Sequence, residues 1–112
     1  MDVKATAQFR LVLVTAPDLK TGRRLACAAL GQRLAACVNL VSGLESHYWW
    51  KGNMESSREV LLLFKTRAAR VRELERLILA EHPYDTPEFV VLELTDGAKR
   101  YFDWMKRETA PL

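Results

Sequence analysis

Histidine and cysteine are scarce in this chain: Cys27, Cys37, His47 and His82 are the whole supply. Two cysteines at that spacing form neither a disulfide framework nor a structural zinc set, so both are expected reduced, as in the cytoplasm. Two histidines leave little acid–base machinery, with Glu or Lys as the remaining bases. No G-x-S-x-G, phosphate-cradling loop, dinucleotide fingerprint or H-E-x-x-H motif occurs. No apolar run approaches the ~20 residues of a membrane span. The opening "MDVKATAQFRLVLV" has no long apolar core or cleavage site of a secretory signal. A cytoplasmic protein without a membrane partner is the expectation. Charge of one sign is missing too. Seventeen Lys and Arg stand against 14 Asp and Glu, giving +3, and the signs interleave, so charge says little about partners. Internal repeats, linkers and low-complexity stretches are absent.

What is present suits one domain over residues 1–112, with 1–8 as a short tail. A chain of this size buries roughly 65% of its unfolded surface, enough for a core without staples. "FRLVLVT", Phe9–Thr15, reads as a buried strand. Pro17-Asp18 ends it, and Asp18 is placed to cap a helix whose apolar stripe is Ala26, Leu30 and Leu34. Ala35–Trp50 is a long strand with a bulge or bend at Ser42-Gly43. Lys51-Gly52-Asn53 turns the chain into a partner strand, Ser57–Thr66. A second helix carries Val71, Leu74, Leu77 and Ile78 on one side and stops at Pro83. Phe89–Leu94 is a further strand, and Tyr101, Trp104 and Met105 mark a short last helix. The order predicts an α+β, two-layer, ferredoxin-like βαββαβ sandwich with a long central hairpin and a short C-terminal helix.

That arrangement leaves a question. Its two main helices cover one face of the sheet, so strands should alternate apolar and polar if the other face meets water. Leu11–Val14, Val60–Phe64 and Phe89–Leu92 are apolar on both faces. The last helix could fold back over the second face, but it cannot also reach Tyr48, Trp49 and Trp50 at the hairpin tip. An apolar area of that size is an association site.

Few side chains invite chemistry. His82 ends the second helix beside Glu81, where a dipole-favoured C-terminal histidine competes with a ligand contact. His47, beside the tip aromatics, reads as packing or interface polarity. Cys27 and Cys37 read as small core residues. Asn39 stands out as a polar residue in an apolar strand, where a buried amide needs partners. Arg67, Arg70, Arg72 and Arg76 alternate with Glu73 and Glu75 as a solvated helix face. RNA-recognition domains share this layout, but "EVLLLFKT" has none of their glycines or stacking aromatics, so no nucleic acid is expected.

Five segments in order, "TAPD", "LAACVNL", "YWWKG", "EVLLLFKT" and "HPYDTPE", resemble the CutA family of divalent-cation tolerance proteins across residues 9–108. The resemblance implies the ferredoxin-like fold, a non-catalytic role in metal tolerance by binding or signalling, and a homotrimer in which Tyr48, Trp49 and Trp50 lie at the subunit interface. It implies a cleft between subunits near Cys37, Asn39, Lys65, Tyr84 and Glu88, fit for an ion or small anion. Copper-binding members place a Cys before "TAPD" and two His before "PY". Here those positions are Val14, Glu81 and His82. His82 alone matches, which predicts at most weak binding of copper or another divalent cation and no required cofactor. A small enzyme using the cleft and a trimeric scaffold for a protein partner are the rival readings.

Overall fold

The computed structural model describes residues 8–111. Its elements run β1 (Phe9–Ala16), α1 (Leu19–Gly31), β2 (Cys37–Trp50), β3 (Asn53–Arg67), a 3-10 turn (Ala68–Arg70), α2 (Val71–Glu81), β4 (Val90–Glu93) and α3 (Lys99–Glu108). The strands form one sheet in the order β2-β3-β1-β4, with every neighbouring pair antiparallel. The result is the expected ferredoxin-like sandwich, with α1 and α2 on one face and α3 appended.

Local chemistry sets each boundary. Asp18 has extended backbone angles and its carboxylate accepts from the Thr21 N–H at 2.7 Å, starting α1. That bond, aided by Lys20, holds the Asp18 carboxyl below its usual range. Gly22, Leu25, Ala26 and Ala29 are the residues α1 buries. The expected stripe therefore needs correction. Leu30 is 40% exposed, and Leu34 lies beyond the helix, buried on its own account. The helix lies close to the sheet at Gly22, where a Cβ would come within 3.1 Å of a Leu40 methyl and crowd it. Cys27 consequently points outward rather than into the core. In α2 the stripe of Val71, Leu74 and Ile78 is buried as expected.

The predicted bulge is present: the β2–β3 register shifts between Val41 and Leu44. Lys51 and Gly52 close the hairpin with φ of 49° and 81°, and Trp50 pairs directly with Asn53. Positive φ at both central residues belongs to the two-residue turns whose twist matches the strands. The partner strand starts at Asn53, earlier than expected, because β3 pairs with β2 all the way to that turn. β1 pairs with β3 only over Val60–Arg67, so Ser42–Glu59 leaves the sheet as a two-stranded ribbon. This ribbon draws the chain out to 46 × 27 × 23 Å.

Val12, Val14, Leu25, Leu62, Phe64, Leu74 and Ile78 form the core between sheet and helices. On the second face, Leu11, Leu13, Leu61 and Leu63 stay half-buried while Val41, Val90 and Leu92 are exposed. Helix α3 folds back over one end of that face only. Phe102 stacks on Phe9 at 4.5 Å, the Lys65 ammonium sits over the Tyr101 ring, and Arg67 donates to Thr109 through Nε and Nη2. One basic residue departs from its expected place: Arg70 is buried, donating to the carbonyls of Gln32 and Arg33, which follow α1.

Candidate functional site

The segment after α2 builds one polar corner. The N–H of His82 closes the helix by donating to the Ile78 carbonyl at 2.9 Å, and Pro83 prevents another turn. The buried His82 ring spans two strangers. Its Nδ1 accepts from the Tyr84 N–H at 3.1 Å, which leaves Nε2 as the protonated nitrogen donating to the Thr15 carbonyl at 2.7 Å. Both ring nitrogens are engaged. The loop is thereby pinned to the end of β1, and the Tyr84 ring lies 4.6 Å from the imidazole.

From there the Tyr84 hydroxyl donates to Glu59 at 2.9 Å, at the root of the ribbon. Burial and then the Glu59 bond push the phenol well above its ordinary pKa of 10. Glu88, an exposed residue, lies near enough for its carboxyl to be raised by partial desolvation and then by the charge on Glu59. Glu59 was not singled out in the sequence. The available signal was a carboxylate heading "EVLLLF" in phase with Leu61 and Leu63, the residues of the uncovered face.

Cys37, Asn39 and Lys65 gather elsewhere. Register sets Lys65 opposite Cys37 on one side and Leu11 on the other, with Asn39 opposite Leu63. The Cys37 thiol donates to Asn39 Oδ1 at 3.7 Å. Asn39 is exposed, so it does not behave as the buried amide its strand suggested. Lys65 and Leu61 are four positions apart in β3, about 13 Å at the strand rise. Glu59 lies two positions further. A single chain thus splits the five cleft candidates into Cys37, Asn39 and Lys65 at one end and Tyr84 and Glu88 at the other.

The hairpin tip lies outside both groups. Trp49 is 72% exposed and its cross-strand partner Met54 73%, while Tyr48 and Trp50 are also open. His47 pairs with Glu45 at 2.7 Å along the exposed ribbon.

A metal does not fit the expected positions. Val14 is sealed in the core, the Glu81 carboxylate bonds Arg24 at 3.1 Å, and His82 has no free nitrogen. Among the described residues no group of three His, Cys, Asp or Glu side chains could hold an ion. A metal at His82 would first have to break a bond that holds the loop.

The CutA1 divalent ion tolerance family matches residues 10–108, the stretch from β1 to the end of α3. The chain belongs to that family. It is 45% identical over 95 residues to the divalent-cation tolerance protein CutA of Yersinia pestis, covering 85% of this chain and 80% of that one. It is 41% identical over 99 residues to the chloroplastic CutA 1 of Oryza sativa, covering 88% of this chain and 56% of the rice protein. The chain therefore spans little more than half the length of that plant relative. The crystal structure of rice CutA1 superposes with a TM-score of 0.90 at 40% identity, covering 95% of this chain and 97% of that one. CutA1 from Thermus thermophilus gives 0.89 at 40% identity, covering 91% and 99%. Compartment varies among CutA relatives by name: the rice protein is called chloroplastic and that of Archaeoglobus fulgidus periplasmic.

Proposed function

We propose that the protein is a homotrimer that serves divalent-cation tolerance by binding an ion or small anion between subunits, without catalysis. The observation that carries this reading is the ribbon. Trp49, Trp50, Tyr48 and Met54 project past the domain's own sheet, and among the described residues Trp49 and Met54 are left mostly open, at 72% and 73% exposed. Large aromatics in that position lose about 25 cal/mol for each Å² left in water, so they favour a second chain as cover. Both sheet edges support it. Among the described residues the outer edges of β2 and β4 are unpaired, and the short β4 exposes Val90, Val91 and Leu92. Relatives bearing the name of tolerance proteins support the role and its non-catalytic character. Free thiols at Cys27 and Cys37 suit a reducing cytoplasm.

Copper specificity through His82 forms no part of this proposal, because the imidazole is committed to Thr15 and Tyr84. The test is assembly. Light scattering at low micromolar concentration is expected to give three times the 12.8 kDa chain mass. A folded monomer at that concentration overturns the reading.

A further inference from the structure

Charges that interleave along the sequence are sorted by the fold. Residues 17–33, which hold α1 and its caps, carry Lys20, Arg23, Arg24 and Arg33 against Asp18 alone. The whole excess of +3 therefore belongs to this segment, and the rest of the chain balances. Asp18 is engaged in the cap, Arg24 is held by Glu81 and Arg33 by Glu108. On α2 the acids Glu73 and Glu75 are taken by Arg70 and Arg72. Lys20 and Arg23 are exposed and, among the described residues, have no carboxylate within ion-pair distance.

Their position also runs against the backbone. A helix favours acids in its first turn and bases in its last. The second helix has Glu73 in its first turn, and α3 has Lys106 and Arg107 in its last. The first helix has no acid in its first turn, where Lys20 sits, and no base in its last. Departures from local preference of this kind belong to surfaces with another task. Further along the same face the surface turns apolar, with Cys27 exposed and Leu30 40% exposed. Lys20, Arg23, Cys27 and Leu30 follow one another in steps of three, four and three residues. They form one ridge about 15 Å long, turned away from the buried Gly22, Leu25, Ala26 and Ala29.

We propose that this ridge docks an acidic amphipathic helix of a partner protein, with carboxylates over Lys20 and Arg23 and an apolar side chain over Leu30. A ridge of side chains at three- and four-residue steps is the surface that packs against another helix. The charge pattern selects a protein segment over a polyanion: two open cations give way to apolar surface, and the neighbouring α2 carries as many acids as bases. The helices lie on the face of the sheet opposite the open one, so this docking goes beyond the assembly proposed above and does not depend on it.

The probe is a labelled peptide helix of about 14 residues, long enough to span the ridge, with glutamates at one end of its apolar face and leucines at the other. A control peptide has lysine for each glutamate. Fluorescence anisotropy on the unaltered protein is expected to show the acidic peptide binding at least tenfold more tightly than the control, and less tightly as salt is raised. Arg23→Glu and Leu30→Ser are each expected to weaken it about tenfold. Arg76→Glu, which reverses an exposed cation on α2 outside the ridge, leaves affinity within about twofold. Amide shifts on peptide addition should run along α1. Equal affinity for the two peptides, no binding of either, or an equal loss with Arg76→Glu overturns the proposal. Binding only to vesicles of phosphatidylserine and phosphatidylcholine, or only to single-stranded poly(U), overturns it too. Should Arg23→Glu disturb folding, Arg23→Gln removes the charge alone, and the comparison of the two peptides needs no variant.

Discussion

A single side chain can change character according to what the rest of the chain does with it. His82 looked like a ligand because of its neighbours in sequence, yet its two nitrogens tie β1 to the loop after α2. Arg70 read as one of a solvated series and instead donates to the carbonyls of Gln32 and Arg33, where the chain leaves α1. Neither role was legible, because Thr15 for His82 and Gln32 and Arg33 for Arg70 lie far away in sequence. Asp18 was legible, since a cap is decided within three residues. Glu88 carries a pH prediction. In the separate chain its carboxyl is raised, so the fold favours the protonated form. That contribution to folding is whole below the unfolded value of about 4.3 and lost as pH rises through the raised one. Glu88→Gln, which stays uncharged, is expected to remove that part of the pH dependence of unfolding, followed by urea denaturation between about pH 4 and neutral. An unchanged profile in the variant would show that the Glu88 carboxyl is perturbed neither by desolvation nor by Glu59.

Elements were more readable than residues where the signal was local. The bulge at Ser42-Gly43, the two-residue turn and the stripe of α2 all follow from spacing and backbone preference. The phase of α1 did not, because small residues rather than large ones mark its buried side. Gly22 and Ala29 let the helix approach the sheet, and counting leucines rotates it the wrong way. Two glycines of this helix should respond oppositely. Gly31 has open space around a would-be Cβ, so Gly31→Ala is expected to stabilise by about 0.5–1 kcal/mol, the usual gain in a helix. Gly22→Val must displace Leu40 and Leu62, and overpacking of this kind costs about 1–3 kcal/mol. Thermal melts of the two variants check the pair. A stabilised Gly22→Val would show that α1 sits further from the sheet than described.

At the scale of the molecule, strands apolar on both faces predicted some cover beyond the two main helices. They did not tell how α3 would divide the task. It seals the Phe9 end and leaves the remainder open. Likewise the five cleft residues were named together by resemblance, and within one chain the Tyr84–Glu59 bond and the Lys65–Cys37 pairing set them in two groups. Trp49 distinguishes a lone chain from an assembled one. Within a single chain it is so exposed that Trp49→Ala should leave the melting point almost unchanged. Covered by another copy, its loss should cost about 3–5 kcal/mol per site. The expected outcome is a lower melting temperature whose deficit shrinks as protein concentration is raised. Equal melts at every concentration would mean that the tip stays in water.

The two-residue turn at Lys51-Gly52 also bears on the order of events after synthesis. A hairpin closed so tightly needs only neighbours in sequence, and such contacts form within about 1–10 μs. The ribbon can therefore exist before α2 and β4 have found their places. Its aromatic tip is then presented early, while in the proposed assembly the surface that receives it belongs to a chain that must arrive by diffusion. Encounter becomes the slow step, and the waiting interval lengthens as chains grow rarer. During that interval the same tip is open to capture by any apolar stranger. A crowded nascent population would therefore serve this protein better than a dilute one.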